Sequence, residues 1–270
     1  MKSIKYIESV QNKKIKSVVQ LRARKERNAK SLFTIEGARE IGRALQWDYR
    51  LDELYFCSDF LSADAKAIVS EFCEVSQGEV FEVSKACFEK IAVRDSSDGV
   101  LAVFQEKRYT LSDIKIDKNP LLLVIEGIEK PGNLGALLRS ADGVGIDAVI
   151  VTGNSIDLYN PNVIRASVGS VFSVPVVECR DVQDVIDFIR ENNISAFAAA
   201  LKEESVSYLD VDYTGACAVF LGSEAFGLSD FLCTSADKLI VIPMAGTADS
   251  LNVSVAGAVI LYEAIRQRKI

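Results

Sequence analysis

From residue 121 onward the chain repeats one pattern: a short unbroken apolar run, a turn rich in Gly, Asn or Ser, then a stretch with helical apolar spacing. The runs at 121–125, 148–151, 174–177, 196–200, 218–221 and 239–242 do not alternate apolar with polar, so both faces of each strand are buried. Helical stretches at 133–143, 162–170, 182–192 and 250–268 supply the crossovers that parallel strands need. The expected fold is α/β, with a parallel sheet covered on both faces.

The first ~105 residues read as a separate, smaller α/β unit. A strongly basic helix is expected at 17–30, a strand at 33–37, a helix at 38–45, strands at 51–57 and 80–83 with a helix at 64–73 between them, and a last strand at 100–104. The chain then becomes polar and irregular. The expected division is a domain at 1–105, a linker at 106–118 and a second domain at 119–270.

The 270-residue sequence contains no histidine. Ser-His-Asp and Cys-His catalysis and the H-E-x-x-H metalloproteases are therefore excluded. The six cysteines include no C-x-x-C pair, so no metal is expected. No apolar run approaches the ~18 residues of a membrane span, and residues 1–6 lack the apolar core of a secretory signal. No membrane association is expected, and the expected location is the cytoplasm. Residues 1–30 carry ten Lys or Arg against Glu8 and Glu26, in a chain whose net charge is −7. A basic arm on an acidic body fits a polyanion contact or a solvated helix, and charge alone does not separate the two.

Three segments follow apolar runs: EKPGNLGALLR at 129–139, LGSEAFGLS at 221–229 and IPMAGTADSLNVS at 242–254. Strand ends of this kind deliver backbone amides and polar side chains to a ligand at the carboxyl edge of a parallel sheet. The first turn is not G-x-G-x-x-G, and there is neither a P-loop nor a G-x-S-x-G elbow. In the first segment Arg139 is able to bind a phosphate or carboxylate, or to pair with a neighbouring acid while Asn133 caps the helix. In the second, Glu224 sits between glycines that admit a ligand, or it caps the helix beginning near Ser229. In the third, Asp249 or Ser250 accounts for a cap, but capping leaves Asn252 and Ser254 without a role.

Together these residues resemble the three signature motifs of the SpoU/TrmH family of RNA ribose 2′-O-methyltransferases, within the SPOUT superfamily. The segment YNPNVIRASVGS at 159–170 resembles the stretch between the family's first two motifs. The resemblance spans about residues 120–268. It implies a C-terminal parallel sheet threaded into a deep trefoil knot, with S-adenosylmethionine bound in the knot loops. By motif position, Gly222, Ile242 and Leu251 would contact the cofactor, and Leu221 and Met244 would line its pocket. Arg139 would handle the ribose hydroxyl, reaching the cofactor of the partner in a homodimer, while Asn133, Glu224, Ser250 and Asn252 orient the reactants.

The N-terminal unit is similar in outline to the family's substrate-binding domain, which resembles certain large-subunit ribosomal proteins. It would grip RNA through Lys13, Lys14, Lys16, Arg22, Arg24, Lys25 and Arg27. The implied activity is ribose methylation of RNA, with 23S ribosomal RNA ahead of transfer RNA as substrate. A non-catalytic RNA-binding assembly factor on the same fold is the alternative.

Overall fold

The structure is a computed structural model that describes residues 4–75, 78–93, 97–116, 118–153 and 157–268. The chain packs as two units, one of Met1–Lys107 with Asp157–Ser173, the other of Arg108–Ile156 with Val174–Ile270.

The first unit runs β1 (Lys5–Ile7), α1 (Lys13–Gln20), α2 (Arg24–Lys30), β2 (Leu32–Glu36), α3 (Ala38–Gln46), β3 (Leu51–Phe56), α4 (Ala63–Val75), β4 (Glu79–Val83), α5 (Lys85–Ile91) and β5 (Val100–Gln105). Its sheet has the order β1-β4-β3-β5-β2. The first three strands in that order are parallel, and β5 is antiparallel to both of its neighbours. Ile15 and Val18 of α1 and Leu21, its C-cap, recur at helical spacing and are buried with Tyr55, Phe81, Val83, Phe88 and Ile91. Each such side chain contributes about 1.5–3 kcal/mol of transfer free energy.

The basic stretch expected as one helix at 17–30 is two helices. The break lets Arg27 turn inward, where it is only 2% exposed. Its guanidinium donates to the carbonyls of Leu21 at 2.5 Å and Arg22 at 2.7 Å, and also pairs with Asp157. Those carbonyls lie at the end of α1, where no further helical turn satisfies them.

The second unit opens with β6 (Leu121–Glu126), α6 (Pro131–Gly143) and β7 (Ala148–Thr152). The chain then rejoins the first unit through α7 (Pro161–Ala166). There Tyr159 stacks on Phe33 with ring centroids 4.2 Å apart, and Phe172 meets the Tyr49 ring edge-on at 5.0 Å. Arg43 also donates to the Val168 carbonyl at 2.6 Å. A single linker at 106–118 therefore does not describe the packing: the apolar residues of 157–173 complete the first unit's core.

The second unit continues with β8 (Val176–Cys179), α8 (Val182–Glu191), β9 (Ser195–Ala199), β10 (Val206–Ser207), β11 (Cys217–Leu221), α9 (Asp230–Ser235), β12 (Lys238–Val241) and α10 (Val253–Arg268). Its seven strands have the order β10-β12-β9-β11-β6-β7-β8, and every pairing is parallel. The strand expected at 174–177 begins two residues later. Pro175 has no N–H to offer a ladder, although its carbonyl accepts from Val149 N at 2.9 Å.

Helix α10 packs against α6 and β11. Gly257 makes this approach close: a Cβ there would lie 2.4 Å from Leu137 Cδ2 and 2.8 Å from Leu221 Cδ1. At the far end of α10, the Arg268 guanidinium donates to the carbonyls of Asn119 at 2.7 Å, Gly215 at 2.6 Å and Tyr213 at 2.8 Å. This ties the helix to the loops that enter β6 and β11. No helix among the described residues is long and apolar enough to cross a membrane.

Candidate active site

Because the large sheet is parallel, the loops leaving β6, β11 and β12 all emerge at its carboxyl edge. Leu221 at the end of β11 is in register with Ile125 of β6, so the loop ending at α6 and the loop from Gly222 to Ser229 start level with each other. Glu126, the last residue of β6, accepts a hydrogen bond from Ser229 N at 2.7 Å and joins the two.

Asn133 does not cap α6. It is the third residue of the helix, which starts after Lys130 without a side-chain cap. The Asn133 amide instead donates to Glu224 Oε1. Its carbonyl oxygen accepts from Asn252 Nδ2 at 3.3 Å. One residue from each of the three motifs thus enters a continuous chain, Asn252 to Asn133 to Glu224. Lys130, which the sequence reading passed over, lies 4.0 Å from the same Glu224 carboxylate. Its place one residue before the helix-starting Pro131 was the only available signal.

Capping is distributed differently from the sequence expectation. Ser229 caps α9 by accepting from Leu232 N at 3.3 Å, so Glu224 is not needed there. Asn252 itself caps α10, its Oδ1 accepting from Ser254 N at 2.9 Å and from Ser254 Oγ at 2.6 Å. The side chain therefore has two roles, with one end fixing the helix start and the other reaching Asn133. Helix α10 accordingly begins at Val253, not at 250. Ser250 is exposed and forms no hydrogen bond among the described residues, so it stands outside this chain of contacts.

Arg139 lies on the exposed side of α6 with no hydrogen bond or ion pair among the described residues. It is one turn before Gly143, where a Cβ would lie 2.9 Å from the Tyr262 hydroxyl of α10. A guanidinium held without a protein partner is available to an anionic ligand.

The residues expected around a cofactor are Leu221, buried at the end of β11, and Gly222, Ile242, Met244 and Leu251, all half-buried. At Gly222 the missing side chain serves the protein's own backbone. A Cβ would lie 2.0 Å from the Gly227 carbonyl carbon and 2.2 Å from Leu228 N. From Pro243 to Leu251 no backbone N–H or C=O forms a hydrogen bond among the described residues. An open run of peptide groups beside four apolar side chains fits a ligand that pairs an adenine, whose edge amides are able to read, with a polar amino-acid tail.

The basic residues of the first unit separate into two groups. Lys13, Lys16 and Lys25 are exposed and without partners among the described residues, and Arg24 is exposed. Arg22 is exposed but donates to the carbonyls of Lys90 at 3.0 Å and Ala92 at 2.7 Å. Lys14 is 37% exposed and held between Glu53 and Glu79. One expected RNA contact is corrected. Arg27 is buried in the core and cannot reach a phosphate. Lys2 of the same arm lies outside the described residues. No group of three or more His, Cys, Asp or Glu among the described residues is placed to hold a metal ion.

A fully parallel α/β sheet with three loops joined at its carboxyl edge defines an α/β domain whose ligand site lies at the ends of its strands. A family model described as the SpoU rRNA Methylase family matches residues 120–262. A second, described as the MRM3-like substrate binding domain, matches residues 12–102. The chain belongs to the SpoU rRNA methylase family.

Among curated relatives, it is 28% identical over 259 residues to the 23S rRNA (guanosine(2553)-2′-O)-methyltransferase RlmP of Bacillus subtilis, covering 96% of this chain and 98% of that protein. It is 35% identical over 199 residues to the 23S rRNA (guanosine-2′-O-)-methyltransferase RlmB of Pectobacterium atrosepticum, covering 72% of this chain and 81% of that one. A solved RNA 2′-O ribose methyltransferase superposes with a TM-score of 0.85 at 38% identity, covering 98% of this chain and all of that one. The AdoMet-bound rRNA methyltransferase from Sinorhizobium meliloti superposes with a TM-score of 0.89 at 28% identity, over 97% of this chain and 98% of that one.

Proposed function

We propose that this protein methylates large-subunit, 23S ribosomal RNA. It is an RNA ribose 2′-O-methyltransferase, and S-adenosylmethionine is its methyl donor. The observation that carries the site assignment is the hydrogen-bonded chain Asn252–Asn133–Glu224, which ties three distant sequence segments together; Arg139, unpaired among the described residues, lies farther along α6.

When bound, S-adenosylmethionine supplies a sulfonium methyl group that is electrophilic without further activation. The protein's task is to align a ribose hydroxyl with that methyl and to manage the hydroxyl proton. In our reading, Leu221, Ile242, Met244 and Leu251 enclose the cofactor's apolar parts, and the peptide groups of 243–251 and Gly222 read its polar edges. Asn133, Glu224 and Asn252 fix the ribose, and Ser250 joins them once substrate is bound. Arg139 stays cationic at neutral pH, so it orients the adjacent phosphate and stabilises developing alkoxide charge rather than removing a proton.

The segment from β11 to α10 is assigned the family's deep trefoil knot, supported by the return of α10 onto α6 and β11. The active unit is assigned as a homodimer. Val255 at 47% and Tyr262 at 55% exposure leave exposed apolar surface two turns apart on α10, and the Tyr262 hydroxyl faces Gly143, one turn after Arg139 of α6. A partner seated there completes each site with its own Arg139. The first unit is assigned as the RNA-gripping module, similar to large-subunit ribosomal proteins, acting through Lys13, Lys16, Arg22, Arg24 and Lys25. With its ribosomal substrate, the protein acts in the cytoplasm.

The test is a ribose-methylation map of total RNA from cells with and without the protein, complemented with wild type or Arg139→Ala. One 23S position should lose its methyl in the deleted strain and regain it only with wild type. Loss of a transfer-RNA methyl, or no loss anywhere, refutes the substrate assignment.

A further inference from the structure

The loop from Gly222 to Ser229 carries an aromatic side chain that the chemistry above does not use. Phe226 is 88% exposed, the highest value for a large hydrophobic residue among the described residues. An apolar ring kept in water forgoes about 25 cal/mol for each Å² it fails to bury. The loop is not loose. Ser223 N donates to the Gly227 carbonyl at 3.1 Å, and Gly227 N donates back at 3.0 Å. Phe226 N donates to Ser223 Oγ at 3.1 Å, and the backbone crossing at Gly222 leaves no slack beneath it. The ring is thus presented on a fixed turn, two residues from Glu224 and so within ~7 Å of it along the backbone.

We propose that Phe226 is the stacking platform for a nucleobase of the RNA substrate. The inference rests on the reading above that Glu224 and Asn133 hold the target ribose. A nucleobase is attached directly to that ribose, so the target base or its neighbour falls beside the Phe226 turn. Every base has a π-face that an aromatic ring binds regardless of sequence, and a rigid ring loses little entropy on doing so. In that reading the arm's lysines grip phosphates, which position the RNA but make no contact with a base. An aromatic at the site supplies the base contact that holds a nucleotide out of its helix while its 2′-hydroxyl reacts.

The experiment measures transfer of labelled methyl groups to ribosomal RNA purified from cells lacking the protein. Phe226→Ala should raise the KM for RNA by roughly five- to hundredfold. S-adenosylmethionine affinity by calorimetry, melting temperature and oligomeric state should stay unchanged. Phe226→Tyr and Phe226→Trp should restore the KM, whereas Phe226→Leu, apolar but without a π-face, should not. An unchanged KM in the Ala variant overturns the platform. So does full activity in the Leu variant, or a parallel loss of cofactor affinity or dimerisation. Wild-type protein that transfers no methyl to any RNA ribose overturns both this inference and the reading beneath it.

Discussion

Replacing Gly222 with Ala should displace the loop that carries Glu224, and the size of the effect follows from the backbone crossing. The added Cβ would lie 2.0, 2.2 and 2.3 Å from Gly227 C, Leu228 N and Gly227 O, all main-chain atoms. Ordinary contact begins at 3.4 Å, so the crossing strand must retreat by about 1.4 Å. A shift of that size breaks the paired hydrogen bonds between Ser223 and Gly227. Two backbone hydrogen bonds at about 1 kcal/mol each, with an overpacking cost of 1–3 kcal/mol, give a destabilisation of roughly 3–5 kcal/mol. For a domain of this size that lowers Tm by about 6–20 °C. Calorimetric melting of Gly222→Ala beside Gly215→Ala, whose Cβ would meet nothing within 4 Å, separates sterics from a generic glycine effect. Methyl transfer should fall with Tm, because Glu224 leaves Asn133. A Gly222→Ala protein that melts with wild type would refute the crossing as the reason for this glycine.

Four further outcomes are expected. Arg268→Ala should cost about 2–3 kcal/mol, since charged hydrogen bonds to four loop carbonyls are lost, and urea unfolding measures it. Arg27→Ala should destabilise by about 3–5 kcal/mol by leaving Asp157 without its partner, while Lys25→Ala should leave Tm unchanged and reduce the salt slope of RNA binding by about 1. The Glu79 carboxyl, hydrogen-bonded by Lys14 and Lys5, is held down at about 2. Its stabilising contribution is therefore present above the unfolded value of ~4.3 and lost as pH falls toward 2. With its side chain 41% exposed, screening limits that contribution to about 1 kcal/mol or less; acid titration of Glu79→Gln by circular dichroism should show a flatter curve between pH 4 and 2. Tyr262→Asp on α10 should yield monomers in sedimentation and abolish methyl transfer, and an active monomer would refute the shared site.

Much of the large sheet was legible because buried parallel strands announce themselves as unbroken apolar runs. All six expected strands of the second unit exist, displaced by two residues at most. β10 escaped notice because two residues, Val206 and Ser207, carry no periodicity. β1, with three residues, escaped for the same reason. The basic arm was legible as charge but not as individual roles. Lys14 and Lys16 are equivalent in composition, yet only Lys14 meets Glu53 and Glu79, which come from strands 39 and 65 positions away.

The sequence by itself determined the alternation of strand and helix, the absence of histidine chemistry, and three polar segments placed at strand ends. These are local properties, written in neighbouring side chains. Tertiary structure decided which polar atoms meet: Asn133 with Glu224, 91 positions apart, and with Asn252, 119 positions apart. It also decided that Gly222 yields to the protein's own backbone, that Arg27 turns into the core, and that residues 157–173 complete the first unit. Each depends on distances between segments far apart in the chain, and local spacing carries no record of those distances.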